Sequence, residues 1–131
     1  MSNFNDYQNF VTSVTSTTSL DLEKLIARLR ELDNSVNISA LLTGATGLSS
    51  ESGEFSEIVK KCVFQGKPLD SDVVFHLKRE LGDIVFYWVL AAYALGMDPE
   101  SIITENIRKL QARYPNGFSV NHSENRAKED I

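Results

Sequence analysis

Helical periodicity constrains the fold of this sequence more than any other feature. From about Leu48 to Phe64, and again from about Ser71 to Leu95, apolar residues recur at three- to four-residue spacing, the pattern of helices with one buried side. Gly66-Lys67-Pro68 ends the first segment and Gly96 caps the second, because these residues interrupt helices. The sequence therefore predicts two long helices in succession, joined by a short turn.

Three further helices are predicted around this pair. Their approximate ranges are 5–16, 21–32 and 99–113, the last opened by Asp98 as N-cap and Pro99 at the first helical position. The buried side of the last helix is expected to comprise Ile103, Ile107, Leu110 and Tyr114. Residues 33–46 are ambiguous between a loop and a short helix. Since no useful strand-like alternation is present, the predicted class is all-α, an antiparallel bundle of about four to five helices.

Length and charge narrow the possible classes of protein. The 131 residues are expected to form one domain, 1–131, with a flexible polar tail over 121–131. A net charge of −5 disfavours nucleic acid as a partner. The apolar run from Ile84 to Leu95 is too short to span a membrane. A start without signal-peptide features and a single cysteine, Cys62, predict a cytoplasmic protein.

Two pairs of acids lie at matching positions on the two long helices. Helical residues step by about 100°, which puts Glu51 inside the apolar stripe of its helix and Glu54 about 60° away at the border. Glu80 and Asp83 repeat this arrangement on the next helix. A single such pair is usually a solvated helix face. Two matched pairs that each intrude on an apolar face indicate a site.

Carboxylates buried close together need a positive partner. Few cations share these stripes: Lys60 points nearly opposite Glu51, and Lys61 lies beside Glu54. A divalent cation bound by oxygen ligands suits the pattern better, and Mg²⁺, with Mn²⁺ as a substitute, is the expected metal.

Three blocks of sequence resemble the MazG-type all-α nucleoside triphosphate pyrophosphohydrolases. The segment 47–54, GLSSESGE, is similar to that family's GL..E.GE opening. Residues 80–87, ELGDIVFY, are similar to its ELGD helix, and residues 106–115, NIRKLQARYP, to its N..KL..RYP ending. The blocks occur in the family's order over about residues 45–118, and a single copy is present, as in the short single-domain branch.

The resemblance implies a hydrolase of phosphorus acid anhydrides that converts a nucleoside triphosphate to the monophosphate and pyrophosphate, and so controls a nucleotide pool. By the same resemblance, Glu51, Glu54, Glu80 and Asp83 hold Mg²⁺. Glu54, with Glu51, is the first candidate for the catalytic carboxylate that activates water, and Glu57 is the other candidate.

Five more residues are candidates for binding the substrate. Tyr87 lies one turn beyond Asp83 and either lines the nucleotide pocket or packs in the core. The others are cationic or amide side chains, each of which is alternatively an ordinary solvated residue: Lys61, Asn106, Lys109 and Arg113.

Association and alternative functions complete the predictions. The helix from residue 71 is apolar nearly all round, which a lone small bundle does not require, so a homo-oligomer, dimer or tetramer, is expected. Two alternatives to NTP hydrolysis are open. One is hydrolysis of another pyrophosphate-bearing nucleotide such as an alarmone, and the other is a non-catalytic helical module for oligomerisation or regulation.

Overall fold

The computed structural model describes residues 3–125, and within them the protein is all-α, as predicted. Its helices are α1 (Phe4–Val14), α2 (Thr17–Leu20), α3 (Leu22–Asp33), α4 (Ile38–Phe64), α5 (Ser71–Ala94), α6 (Pro99–Arg113) and α7 (Val120–Glu124). The five predicted helices correspond to α1, α3, α4, α5 and α6. Of the tail predicted to be flexible, residues 126–131 lie outside the described residues, and the preceding part lies in and just after α7.

The helix boundaries follow from local capping. Asp70 accepts a hydrogen bond from Val73 N at the start of α5, and Asp98 accepts one from Ser101 N at the start of α6, where Pro99 occupies the first turn. Gly66 and Gly96 follow the ends of α4 and α5 with φ of 70° and 66°, a left-handed conformation that suits glycine. The predicted ends of the two long helices are therefore confirmed.

Helix α4 begins about ten residues earlier than the sequence pattern predicted, at Ile38 rather than near Leu48. The Asn37 side chain caps the helix by accepting from Ala40 N, and Asn37 N donates to the carbonyl of Ala94 at 3.0 Å. This last bond fixes the start of α4 to the end of α5. The ambiguous segment is thus mainly helix, stabilised by a contact with a distant part of the chain.

Helices α4 and α5 form an antiparallel pair with the closest packing in the described chain. A Cβ added at Gly44 would lie 3.0 Å from the backbone nitrogen of Ala91, and one added at Gly47 would overlap the Tyr87 ring. Glu51 and Glu80 meet farther along the pair. Residue numbers rise along α4 as they fall along α5, so each acidic pair lies opposite the other.

The interior of a single chain is small. Among the described residues, the buried hydrophobic side chains are Val73, Ala92 and Ala94. On α6, Ile103 and Ile107 are 51% and 50% exposed, and Leu110 is also exposed. The expectation that these three residues are buried was wrong for the single chain, because α6 makes little contact with the other helices. Tyr114 alone of the predicted set is half-buried.

No single helix within residues 3–125 has the length and apolar character needed to cross a membrane; α5 and α6 reach it only as a pair, with a bend of 100° between them.

Candidate metal centre

Three acidic side chains from α4 and α5 converge on one point. Glu51 and Glu54 lie one turn apart on α4, and Glu80 lies on the facing side of α5. Each contributes a carboxylate oxygen, and these oxygens are all within 4.8 Å of one another. Glu51 and Glu80 are half-buried, whereas Glu54 is exposed to solvent. We refer to these three residues as the carboxylate trio.

The electrostatics of the carboxylate trio are visible at Glu51. Burial, followed by the negative charges of Glu54, Asp83 and Glu80, raises the pKa of the Glu51 carboxyl above its ordinary value. A hydrogen bond from protonated Glu51 to Glu80 acts in the same direction. Proximity of like charges and partial desolvation are the causes expected for a clustered acid. In the folded chain, the Glu51 carboxyl therefore binds a proton more readily than an isolated glutamate does, and a nearby cation would relieve the same repulsion.

The fourth predicted ligand, Asp83, lies at the edge of this cluster. Its carboxylate is not one of the three within mutual ligand distance, yet its charge is the second-largest electrostatic contribution to the raised pKa of Glu51. Asp83 is exposed. The structure thus gathers three of the four predicted ligands and leaves the fourth adjacent to them.

The ligand set suits a hard divalent cation. The trio offers carboxylate oxygens alone, which favours Mg²⁺ or Mn²⁺ over softer metals. The lysines farther along α4 do not serve as partners for the trio: Lys60 and Lys61 form ion pairs with Glu57, the latter at 3.4 Å. A half-buried acidic cluster with exposed access through Glu54 is a reasonable fit to a metal that keeps some of its water.

Glu57, the alternative candidate for activating water, is occupied in a different way. Its hydrogen bond with Lys60 is the largest cause of a lowered pKa, and Lys61 contributes further. A lowered pKa makes a carboxylate a weaker base. Glu57 also forms an ion pair with Lys61. This lysine, which the sequence suggested as a substrate ligand, therefore contacts Glu57 and not the trio.

A groove of about 500 Å³ runs from the trio along α4. Its walls include Glu51 and Tyr87, which the sequence had marked as site residues, and five that it had not: Leu42, Thr43, Thr46, Gly47 and Ser50. The first four lie in or next to the part of α4 that was ambiguous from the sequence, and Ser50 lies one turn beyond it. Leu42, Thr46 and Ser50 are four residues apart, as are Thr43 and Gly47, which is helical spacing. Extending the helix toward residue 38 would therefore have revealed a face rich in hydroxyl groups.

The predicted substrate residues on α6 lie elsewhere. Asn106 and Lys109 line a different pocket of about 380 Å³, which they share with Trp88 of α5. The Arg113 guanidinium lies 5.8 Å from the centre of the Tyr114 ring, within range of a cation–π interaction. Within the described chain, the structure therefore groups Tyr87 with the trio but places Asn106 and Lys109 in a pocket of their own.

Comparison with known proteins identifies one family. The model of the MazG nucleotide pyrophosphohydrolase domain matches residues 40–118, more than half of the chain. The match spans nearly all of α4 and the whole of α5 and α6, with the trio, Asp83 and both pockets' aromatic residues inside it. No curated protein and no solved structure was found to match the chain.

Proposed function

The chain belongs to the MazG nucleotide pyrophosphohydrolase family, and from this premise we propose that it hydrolyses nucleoside triphosphates, in the ribo or deoxy form, to the monophosphate and pyrophosphate in a divalent-metal-dependent reaction. The observation that carries the proposal is the carboxylate trio, whose oxygens lie within 4.8 Å of one another beside a groove large enough for part of a nucleotide. A family member without such a cluster would lack the means to hold a metal.

In this proposal, Glu51, Glu54, Glu80 and Asp83 hold Mg²⁺ or Mn²⁺. When bound, the cation offsets the charge of the triphosphate and of the transition state. Glu54 is the proposed proton acceptor for the attacking water, because it is the solvent-exposed member of the trio. Water attacks phosphorus in line with the leaving group, its proton passes to the carboxylate, and the bond between the α-phosphate and the pyrophosphate leaving group breaks.

The substrate-binding role proposed for residues of α6 depends on the assembly of chains. Asn106, Lys109 and Arg113 are proposed phosphate or ribose ligands, with Lys61 a further candidate. Because α6 packs loosely against α4 and α5, and Asn106 and Lys109 line a separate pocket, their contact with substrate is expected in the assembled protein rather than within one chain.

Association of chains is supported by the exposed area. The chain exposes 10403 Å², whereas a folded monomer of 14.7 kDa exposes roughly 7,000 Å². An excess of this size is expected for a subunit that buries a large part of its surface in an obligate oligomer. We propose a homo-oligomer, a dimer or a tetramer, located in the cytoplasm, where its free Cys62 is compatible with reducing conditions.

The reaction is tested by incubating the protein with a panel of nucleotides and Mg²⁺ and resolving the products. Monophosphate and pyrophosphate are expected. A diphosphate with orthophosphate would refute the proposed cleavage position, turnover restricted to nucleotides with a second pyrophosphate group would favour the alarmone alternative, and no turnover at all would favour the non-catalytic module.

The proposed metal ligands are tested by isosteric neutralisation. Glu54→Gln and Asp83→Asn are each expected to lower kcat by at least about a hundredfold, the scale of a lost metal ligand or base, with helicity unchanged by circular dichroism. Glu31→Gln, an exposed acid of α3 paired with Arg28, is the matched control and should retain activity. Wild-type rates in either site variant would refute the metal assignment.

Glu57→Gln tests whether Glu57 is the base that activates water. Retained activity is expected, and a loss equal to that of Glu54→Gln would assign the role to Glu57.

A further inference from the structure

The groove beside the carboxylate trio changes in chemistry along its length. Its α4 wall runs from Leu42 to Glu51, nine residues or roughly 13 Å of helix. Glu51 and the acids around it lie at one end, the hydroxyls of Thr43, Thr46 and Ser50 lie between, and Leu42 lies at the apolar end. The groove therefore offers a metal-binding end for phosphates and a neutral, partly apolar remainder for the rest of a substrate.

The opposite wall of the groove is the ring of Tyr87, and the position of this ring depends on Gly47. Gly47 is buried in the middle of α4, where glycine is unfavourable for a helix. Its φ is not positive, so the backbone does not require glycine. A Cβ at position 47 would overlap the Cγ, Cδ1 and Cε1 atoms of Tyr87. These atoms belong to the rigid aromatic ring and not to the far end of a flexible side chain, so the ring or the helix would have to move.

We infer that Gly47 is a positioning residue for the nucleoside part of the substrate: its missing side chain lets the Tyr87 ring lie against α4, and the groove so formed receives the base and sugar. The inference rests on the proposed function, since it places the triphosphate at the trio. The Tyr87 ring lines the groove, and an aromatic ring at this position can stack on a flat base. The three hydroxyls can donate to or accept from base edges and sugar oxygens.

The charge of the groove narrows the substrate class. Of the side chains that line it, Glu51 is the charged one, and it is acidic. A second phosphate on the sugar would lie in this groove without a cationic partner and near carboxylates. The groove thus fits nucleoside triphosphates with an unphosphorylated sugar and disfavours alarmone-like nucleotides.

The test compares Gly47→Ala with Gly53→Ala, the same substitution in the same helix at a position where a Cβ meets nothing within 4 Å. Calorimetry measures the binding of an α,β-methylene nucleoside triphosphate and, separately, of inorganic tripolyphosphate, both with Mg²⁺. Gly47→Ala is expected to weaken the nucleotide analogue by about tenfold or more, the effect of losing one stacked base contact, and to leave tripolyphosphate unchanged. Gly53→Ala should bind both probes as the wild type does.

Measurements in a Tyr87→Ala protein distinguish a positioning role of Gly47 from general damage to the fold. If Gly47 acts through the Tyr87 ring, Gly47→Ala should have no further effect on analogue binding in a Tyr87→Ala protein, because the two sites are coupled. Tyr87→Leu, which leaves Gly47 in place, should show the same loss of analogue binding with tripolyphosphate unchanged, and it decides the matter if Gly47→Ala does not fold.

Each other outcome overturns the inference. These outcomes are wild-type affinity for the analogue in Gly47→Ala or in Tyr87→Leu, equal weakening of both probes, additive effects in the double variant, or an analogue that the wild type does not bind. Failure of the proposed function is a different result: analogue binding that depends on Gly47, without hydrolysis of any nucleoside triphosphate, would leave the inference standing and remove the reaction.

Discussion

At the scale of single residues, Glu51 has the most informative environment. Its raised pKa, caused first by burial and then by three neighbouring carboxylates, means that the folded chain binds a proton there more readily than the unfolded chain does. The resulting contribution to stability is fully present below the ordinary pKa of glutamate and is lost as pH rises through the raised value. Repulsion among these carboxylates opposes their simultaneous ionisation in the metal-free protein, and under the proposed function a bound divalent cation would relieve it.

Glu51→Gln is expected to raise the Tm of the metal-free protein at pH 7, because the amide mimics the protonated acid and removes one of the clustered charges. It should also abolish the rise in Tm that Mg²⁺ gives the wild type. Thermal unfolding in EDTA and in Mg²⁺, at pH 7 and pH 5, measures both effects, and the gap between variant and wild type in EDTA should narrow at pH 5.

Glu57 lies on the same helix, and its contribution to stability should depend on pH with the opposite sign. The pKa of Glu57 is lowered by its hydrogen bond with Lys60, so its contribution is present above the ordinary pKa and is lost as pH falls through the lowered one. Glu57→Gln should therefore lower the Tm slightly at pH 7 and leave the Mg²⁺ effect intact. A lower Tm in EDTA for Glu51→Gln than for the wild type would contradict the account of the trio.

Individual site residues differed in how far the sequence could predict them. Glu51, Glu54 and Glu80 were predictable because helical geometry puts the first acid of each pair on the apolar face of its helix, and the apolar faces of two consecutive antiparallel helices pack against each other. Thr43 and Thr46 were not, because they become part of a site only once the start of α4 is known to be helical. The location of Asn106 depends on how α6 packs, which local spacing does not specify.

At the scale of helices, α4 shows why glycine can mislead. Gly44 and Gly47 look like interruptions, yet both are buried within the helix and mark its closest approach to α5. The hydrogen bond from Asn37 N to the Ala94 carbonyl adds a contact between residues far apart in sequence. A local pattern holds no information about such contacts, so the early start of α4 could not be read from it.

Gly44→Val should destabilise the protein by about 1–3 kcal/mol, the usual cost of overpacking a close contact. The reason is that its Cβ would lie 3.0 Å from both the Cβ and the backbone nitrogen of Ala91, and backbone atoms cannot give way without moving α5. Chemical denaturation measures the change. Gly53→Val carries the same β-branched side chain into open space on the same helix, so a loss of stability as large as that of Gly44→Val would refute the packing argument.

At the scale of the whole molecule, much of the apolar surface of the described chain is exposed. Helix α5 covers α4 with one side and leaves the other side apolar and exposed. A stripe with a spacing of four residues comprises Leu81, Val85 and Val89. Exposed apolar patches of this extent usually mark interfaces. The apolar circumference of the helix predicts association of chains, which stays a prediction. If chains associate as proposed, the partner would lie on the exposed stripe and on the exposed apolar side of α6.

Val85→Lys tests this interface, since Val85 lies in the middle of the stripe and is 55% exposed in the single chain. If a second chain covers the stripe, a buried lysine without a partner should dissociate the oligomer. Light scattering after size exclusion should give a mass of two or four chains for the wild type and a smaller mass for Val85→Lys at the same concentration. Gln111→Lys, which adds the same charge at an exposed polar position of α6, should keep the wild-type mass. A monomeric wild type at micromolar concentration would refute the assembly, and an unchanged mass for Val85→Lys would move the interface away from this face of α5.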